Sequence, residues 1–273
     1  MSFSPLDGVI YGPVRSRRLG ASLGVNLLPA NMKVCNMDCA YCQYGWSRGI
    51  ARYRGQGPGW PTPDAVITAV GARLEEVAER NEWIDRLTIA GHGEPTLHPE
   101  FGAIVAGLRE LRDRLAPRLP IAVLSNSTTV LWPNIGRALL ALDERYMKLD
   151  AGEPVMFARL NGGRSDFRDV IDGLRTLSPL TVQAMFVRDR NRAIDNSTAA
   201  AVDHWLWAID AARAERVQVY TLDRRPALAS LQPVPPRRLR EIAEHVRALG
   251  ISADVFTARN RSTPQADASS ATH

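Results

Sequence analysis

The sequence of 273 residues contains only three cysteines, all between Cys35 and Cys42. An odd and clustered set of this kind excludes the disulfide framework of a small secreted domain. The N-terminal residues lack the charged and apolar regions of a secretory signal. No apolar run approaches the roughly 20 residues of a membrane span. We therefore predict a cytoplasmic protein with no membrane partner.

Lysine is also scarce, because Lys33 and Lys148 are the only two in the chain. The net charge of +5 and the pI near 9.4 are therefore due almost entirely to arginine. A basic surface attracts anions, but a GC-rich genome also enriches arginine. Net charge alone does not indicate a nucleic acid partner.

The 45% hydrophobic content is sufficient for a substantial core, and the length suits one large domain. We predict one domain over residues 1–256. Residues 257–273 are polar and rich in Ala, Ser and Thr, which predicts a disordered tail.

Strand-like segments alternate with amphipathic helical segments along most of the chain, a pattern that specifies a parallel sheet with outer helices. Six such units are too few for an eight-stranded barrel. A further helix over 236–249 and a short strand over 252–256 are expected to close part of the opening. The six predicted strands are 23–28, 86–90, 121–125, 146–150, 181–187 and 217–222, and the helices between them are 61–81, 101–115, 135–142, 167–177 and 199–214.

The three cysteines are spaced C-x3-C-x2-C, which allows one loop to turn several thiolates onto a soft metal centre. Three thiolates can hold three irons of a four-iron cluster and leave the fourth iron open. A structural zinc site is the alternative, with His92 or His98 as its fourth ligand, although zinc ribbons normally supply two separated pairs of ligands.

The candidate chemical residues follow the predicted strands at the ends where barrel enzymes carry their active sites. This agreement favours an enzyme. The cysteines follow the first strand, Gly93 and Glu94 the second, Ser125 and Asn126 the third, and Asp150 ends the fourth.

The cysteine loop, with Tyr41 just before the last cysteine, resembles the signature of the radical S-adenosylmethionine (SAM) superfamily. Residues 92–95 (His-Gly-Glu-Pro) resemble its Gly-Gly-Glu-Pro motif, with His92 in place of the first glycine. Segments 11–20, 91–96 and 148–151 look like those of wyosine-synthase-like iron–sulfur oxidoreductases. The resemblance implies an α/β fold, a partial (β/α)6 TIM barrel of the radical SAM type that is open on one side.

The resemblance also implies a 4Fe-4S cluster on Cys35, Cys39 and Cys42, with SAM chelating the open iron. An electron from that cluster would cleave SAM to methionine and a 5′-deoxyadenosyl radical. The SAM-binding residues that the resemblance implies are Tyr41 near adenine, Gly93 and Glu94 at the methionine ammonium, and Ser125 and Asn126 in the pocket. A tight turn at 91–95 and polar strand termination at 125–126 are the structural alternatives.

Three further polar residues are cofactor-binding candidates from their positions on strands. Lys148 and Asp150 are two residues apart, so their side chains face the same side of the strand and can contact ribose or carboxylate. Gln183 lies among apolar residues and needs hydrogen-bond partners inside the barrel. A Lys–Asp pair can instead be structural.

We predict a single-cluster radical SAM enzyme that abstracts a hydrogen atom from an unidentified substrate. An external reductant such as flavodoxin or ferredoxin would supply the electron. Because no cysteine remains for an auxiliary cluster, wyosine formation itself is not favoured. The alternatives are an activase that installs a glycyl radical on a partner protein and a non-catalytic iron–sulfur electron carrier.

Arginines recur after the predicted strands and suggest a positive rim around the barrel mouth. Guanidinium groups suit phosphate and carboxylate, which favours an anionic substrate, with a nucleotide or RNA ahead of a small acid or a peptide. Arginines also occur on predicted helices away from the mouth. The alternative to a positive rim is therefore that arginine is simply distributed along the whole chain. The proposed rim consists of Arg48, Arg52, Arg54, Arg159, Arg164, Arg188, Arg190, Arg192, Arg224 and Arg225.

Overall fold

The computed structural model describes residue 6 and residues 8–47, 59–162, 165–191 and 193–258. The strands in these ranges are β1 (Ile10–Ser16), β2 (Gly20–Val25), β3 (Arg86–Ile89), β4 (Ile121–Ser125), β5 (Glu144–Lys148), β6 (Thr181–Asp189), β7 (Arg216–Thr221), β8 (Leu231–Pro233) and β9 (Ser252–Phe256). The helices are α1 (Pro63–Glu79), α2 (Phe101–Leu115), α3 (Pro133–Leu140), α4 (Pro154–Asn161), α5 (Phe167–Arg175), α6 (Ala199–Ala211) and α7 (Pro236–Ala248).

Seven of these strands form a parallel sheet in the order β2-β3-β4-β5-β6-β7-β9. Strand β1 pairs antiparallel with β2 at one end of the sheet, and β8 pairs antiparallel with β6. In the described chain the two ends, β1 and β9, do not pair with each other. The α/β fold and the partial barrel are confirmed.

The sheet separates an apolar outer layer from a polar interior because side chains alternate along each strand. On β2, Leu23 and Val25 are fully buried in the main core together with residues of the outer helices. Ser22, which precedes Leu23, faces the interior, where its hydroxyl donates to Thr88 Oγ1 at 2.6 Å. The interior therefore offers hydrogen-bonding groups to a ligand.

Helix α1 illustrates how the outer layer forms. Thr62 caps its N-terminus by accepting from Ala65 N at 3.2 Å, and Pro63 occupies the first turn. Apolar residues at helical spacing, including Val66 and Val70, face the sheet and are fully buried.

The predicted strands and helices are all present, with ends that differ by a few residues. The bounds 101–115, 121–125 and 252–256 agree with α2, β4 and β9. Three elements were missed: β1, β8 and α4. Pro13 interrupts the apolar pattern of β1, which is an irregular edge strand whose register shifts between Tyr11 and Val14. Strand β8 has only three residues, and in α4 the exposed Val155 and the buried polar Asn161 obscure the apolar face formed by Phe157 and Leu160.

Some sequence predictions lie outside the described residues. They are the arginines at 48, 52, 54, 164 and 192 and most of the predicted tail, residues 259–273. The division into one domain and a tail stays a prediction. Within the described ranges, each helix is either too short or too polar to cross a bilayer.

Helix α6 packs on the sheet through Trp205, the largest fully buried side chain of the described core. Its ring lies edge-on to Phe186, with centroids 4.9 Å apart, and its Nε1 donates to Leu149 O at 2.9 Å. Trp207, two residues further along α6, is 65% exposed. Two residues along a helix point in nearly opposite directions, which explains the difference.

Trp205→Ala should lower the free energy of unfolding by about 3–5 kcal/mol, because it leaves a cavity and an unpaired carbonyl beneath β5. Trp207→Ala is the matched control on the same helix and should change stability by less than about 0.5 kcal/mol. Urea denaturation followed by circular dichroism measures both. Equal effects of the two substitutions would contradict this account of α6 packing.

Candidate functional site

The three cysteines lie on the loop that follows β2. Backbone hydrogen bonds hold this loop against the last turn of α4, where Asp38 N donates to Asn161 O at 3.0 Å and Ala40 N donates to Leu160 O at 2.8 Å. On its other side, Leu228 N donates to Ala40 O at 2.8 Å. The loop is thus held between α4 and the segment before β8.

Two asparagine side chains direct amide groups at the cysteine sulfurs. Asn126 Nδ2 lies 3.7 Å from Cys35 Sγ, and Asn161 Nδ2 lies 3.6 Å from Cys39 Sγ. Like Cys42, these two cysteines are partly buried and not disulfide-bonded. Burial raises the pKa of Cys39 to about 11, against the opposing hydrogen bond from Asn161. A metal that binds Cys39 at neutral pH therefore displaces a proton.

The geometry around the thiols bears on the choice of metal. In the part of the chain that is described, no three His, Cys, Asp or Glu side chains converge tightly enough to hold one metal ion. Both ring nitrogens of His92 and of His98 contact backbone atoms, so neither imidazole is available as a zinc ligand. A four-iron cluster does not require such convergence, because each thiolate binds a different iron.

Glu94 is a buried carboxylate at the end of the turn after β3, and it is 1% exposed. Its Oε1 accepts from Thr96 N at 3.2 Å, Thr96 Oγ1 at 2.6 Å and Ser125 Oγ at 2.9 Å, and its Oε2 accepts from Asn126 N at 2.6 Å. Burial raises the pKa of the Glu94 carboxyl, while these hydrogen bonds oppose the rise. No ion pair with Glu94 forms among the described residues.

Asn126 connects this carboxylate to the cysteine loop. Its backbone nitrogen bonds Glu94, and its side-chain amide both faces Cys35 and donates to Asn36 Oδ1 at 2.8 Å. Asn36 in turn donates to Thr128 Oγ1 at 2.6 Å. The ends of β3 and β4 and the first part of the loop are therefore one hydrogen-bonded unit.

The turn at 91–95 lies against the backbone that precedes Cys35. A Cβ atom on Gly93 would lie 1.8 Å from Val34 O, and Glu94 N donates to the same oxygen at 2.9 Å. His92 is fully buried, with its Nε2 3.0 Å from Pro29 O, and burial lowers its pKa. His92, which replaces the motif's first glycine, thus supports the turn as a buried, neutral side chain.

Asp150 forms the second polar group of the site. It is fully buried, and its carboxylate accepts from Tyr41 OH, from Asn161 Nδ2 at 2.8 Å, from Met185 N at 2.7 Å and from Lys148 Nζ at 2.7 Å. A carboxylate has about four acceptor positions, so a ribose hydroxyl would have to displace one of these donors. Asp150 thereby positions Tyr41 and the cysteine loop.

Lys148 and Gln183 lie side by side in the barrel, at paired positions of β5 and β6. The Lys148 ammonium is 4.9 Å from the ring centroid of Tyr41 and 4.8 Å from that of Tyr220, and it donates to Tyr220 OH at 2.6 Å. Gln183 donates to Gln218 Oε1 at 2.7 Å. Both predicted residues face the interior, but each is already engaged by a residue of β7.

The predicted residues thus fall into two groups, each reaching one cysteine through an asparagine. Gly93, Glu94, Ser125 and Asn126 lie near Cys35, whereas Tyr41, Lys148 and Asp150 lie near Cys39. Gln183 belongs to neither group and pairs with Gln218. Sequence reasoning missed Asn161, which sits at the end of the unpredicted helix α4. The Gly162-Gly163 pair after it is a helix-stop signal that could have located this position.

A family model described as the radical SAM superfamily matches residues 32–188, a range that includes the cysteine loop, Glu94 and Asp150. The chain belongs to the radical SAM superfamily. Its members are enzymes, and the superfamily implies an iron–sulfur cluster and SAM. The match does not single out the wyosine-synthase-like branch.

Two relatives are UPF0026 proteins. One from Methanocaldococcus jannaschii is 32% identical over 158 residues, which cover 58% of this chain and 45% of the relative. One from Helicobacter pylori is 31% identical over 222 residues, which cover 79% of this chain and 67% of the relative. The chain therefore spans less than half of the first relative and two thirds of the second.

Two solved structures share the fold at low sequence identity. A radical SAM methyltransferase from Sphaerobacter thermophilus superposes with a TM-score of 0.63 and 18% identity, covering 88% of this chain and 67% of that one. Streptococcus suis SuiB bound to S-adenosylmethionine gives a TM-score of 0.54 and 12% identity, covering 87% of this chain and 47% of that one. These likenesses establish the architecture.

The residues present fit the groups that the superfamily implies. Three thiols provide soft ligands for iron, and two of them receive amide hydrogens from Asn126 and Asn161. Glu94 provides a buried negative charge with no cation beside it among the described residues. A ligand that carries a metal-chelating group and an ammonium would suit iron held by the thiols and the Glu94 carboxylate, respectively.

Gly93→Ala should disrupt the 91–95 turn, because the new methyl group would overlap Val34 O. We expect a loss of stability of about 1–3 kcal/mol or more together with impaired cluster assembly. Gly102→Ala is the control: its Cβ would meet nothing within 4 Å on α2, and alanine should stabilise the helix by about 0.5–1 kcal/mol. Thermal unfolding and bound iron after anaerobic reconstitution test the pair. A Gly93→Ala protein with wild-type values would contradict the close approach.

Proposed function

We propose that this protein is a radical SAM enzyme that carries one 4Fe-4S cluster on Cys35, Cys39 and Cys42 and abstracts a hydrogen atom from its substrate. The observation that carries this proposal is the position of Asn126. Its backbone bonds Glu94 while its side-chain amide lies 3.7 Å from Cys35 Sγ. One residue thereby joins the cluster loop to the carboxylate proposed for the SAM ammonium.

When bound, the cluster supplies the electron that cleaves SAM to methionine and a 5′-deoxyadenosyl radical. Glu94 attracts the methionine ammonium by its charge, and its Oε2, which accepts from Asn126 N, keeps a second lone pair for an ammonium N–H. Gly93 has no side chain and allows the backbone to approach the methionine moiety. Tyr41, fixed by Asp150, presents its ring beside the cysteines for the adenine. We propose that the barrel serves to exclude water from the reacting atoms.

The remaining assignments concern the rest of SAM and the partners. We propose that Ser125, Asn126 and Lys148 line the SAM pocket. Asp150 and Gln183 hold the polar side chains of this pocket in position. The electron donor proposed is an external reductant such as flavodoxin or ferredoxin. We also propose that the chain belongs to the wyosine-synthase-like iron–sulfur oxidoreductase branch of the superfamily.

The proposed substrate is anionic, with a nucleotide or RNA as the first choice. Arg224 supports a positive mouth, since its Nη1 donates to Gln43 Oε1 directly after Cys42. Arg188 and Arg225, also on or after the strands, are exposed. Arginine offers paired donors to phosphate oxygens.

Reductive SAM cleavage is tested by anaerobic reconstitution with iron and sulfide, followed by incubation with SAM and dithionite. Mass spectrometry should detect 5′-deoxyadenosine and methionine in amounts that depend on protein and on dithionite. A protein with a full cluster that yields neither product would overturn the proposed enzyme and leave an electron carrier.

Replacing Cys35, Cys39 or Cys42 with alanine should abolish both cluster assembly and 5′-deoxyadenosine formation, because the chain has no spare cysteine. Iron content and visible absorption report the cluster. Gln43→Ala, in the same loop, is the control and should retain iron. Full iron and activity in any cysteine variant would remove that residue from the ligand set.

Glu94→Gln should weaken SAM binding by about ten- to a hundredfold, since a charge-assisted attraction is lost. Iron content should stay near the wild-type value, because Glu94 and the cysteines follow different strands. Glu110→Gln, on the exposed face of α2, should change neither quantity. Equilibrium binding of SAM to the reconstituted protein provides the measurement. Loss of iron and of fold together would assign Glu94 to a structural role.

A further inference from the structure

The turn between β1 and β2 lies across the open side of the barrel. Arg17 in this turn donates to Asp223 Oδ2 at 3.1 Å, just after β7, and to Thr257 O at 2.6 Å, just after β9. Its neighbour Arg18 accepts at its carbonyl from Gln218 Nε2 at 3.3 Å. Side-chain contacts therefore connect one end of the sheet to the other, where no backbone ladder does so in the described residues.

The Arg18 side chain lies on an inward-facing aromatic residue of β7. Its guanidinium carbon is 4.1 Å from the ring centroid of Tyr220, and Tyr220 OH accepts from Lys148 Nζ. The same ammonium is 4.9 Å from the ring of Tyr41 in the cysteine loop. Cations and rings thus alternate from the cysteine loop to Arg18, which places the Arg18 guanidinium against the interior face of β7.

The electrostatic surroundings of Arg18 differ from those of its neighbours. Lys148 is paired with Asp150 at 2.7 Å and Arg17 with Asp223 at 3.1 Å. Among the described residues Arg18 forms no ion pair, and its Nη1 is buried without a hydrogen-bond partner. A buried donor without a partner is costly, and the contact with a ring face does not satisfy it.

We propose that Arg18 binds a carboxylate or phosphate group of the substrate inside the barrel, an inference that rests on the proposed function above. The ring of Tyr220 covers one face of the guanidinium and leaves its edge for paired hydrogen bonds to two oxygens of an anion. Lys148 cannot take this role as readily, because Asp150 already balances its charge. An anion held on Arg18 would orient the rest of the substrate toward the cysteine loop.

The test is calorimetric titration of the reconstituted protein, without SAM, against inorganic phosphate in one arm and acetate in the other. Chloride keeps the ionic strength constant in both arms. Arg18→Met should weaken binding of the preferred anion by about tenfold or more. Arg15→Met removes the same charge from an exposed position on β1 and should leave the affinity within about twofold. Arg18→Lys, which keeps a cation beside Tyr220, should retain part of the affinity if the methionine variant is unstable.

Binding of phosphate alone or acetate alone that depends on Arg18 would identify the anionic group of the substrate. Absence of binding, or binding that Arg18→Met and Arg18→Lys leave unchanged, would overturn the proposal and assign Arg18 to closure of the barrel. The 5′-deoxyadenosine assay is independent of this measurement. Product formation without anion binding would reject Arg18 alone, whereas Arg18-dependent binding without product formation would reject the enzyme.

Discussion

The buried carboxylate of Asp150 is the interaction on which the site depends. It receives hydrogen bonds from the cysteine loop through Tyr41, from α4 through Asn161, from β6 through Met185 and from its own strand segment through Lys148. Burying a charge is costly unless the charge is paired and hydrogen-bonded, as the Asp150 carboxylate is. Four chain segments are thereby held in one arrangement, and the loop is fixed before any ligand binds.

A second buried carboxylate, Glu94, links the ends of β3 and β4 beside Cys35, at the other end of the loop. The two carboxylates differ in their counter-charge. Asp150 has Lys148 at 2.7 Å, whereas Glu94 has only neutral donors within the described residues. The site is therefore electrostatically complete near Cys39 and incomplete near Cys35, where the ammonium of SAM is proposed to bind.

Sequence reasoning succeeded where a short-range pattern decides the outcome. The period of α2, the apolar run of β4 and the cysteine spacing are local, and strand alternation then places polar residues at one edge of the sheet. It did not find β1, because Pro13 breaks the strand pattern, or α4, because an exposed Val155 and a buried Asn161 obscure its apolar face. The roles of Asn161 and Arg18 depend on contacts 122 and about 200 residues away, which no local pattern encodes.

The open sheet has a further consequence at its outer strand. A sheet that does not close has free edges, and a regular edge strand can pair with a strand of another molecule. In β1, Pro13 has no N–H to donate, the register shifts between Tyr11 and Val14, and the charged side chain of Arg15 is exposed. The residues that hid this strand from sequence analysis thus protect an incomplete barrel from edge-to-edge aggregation.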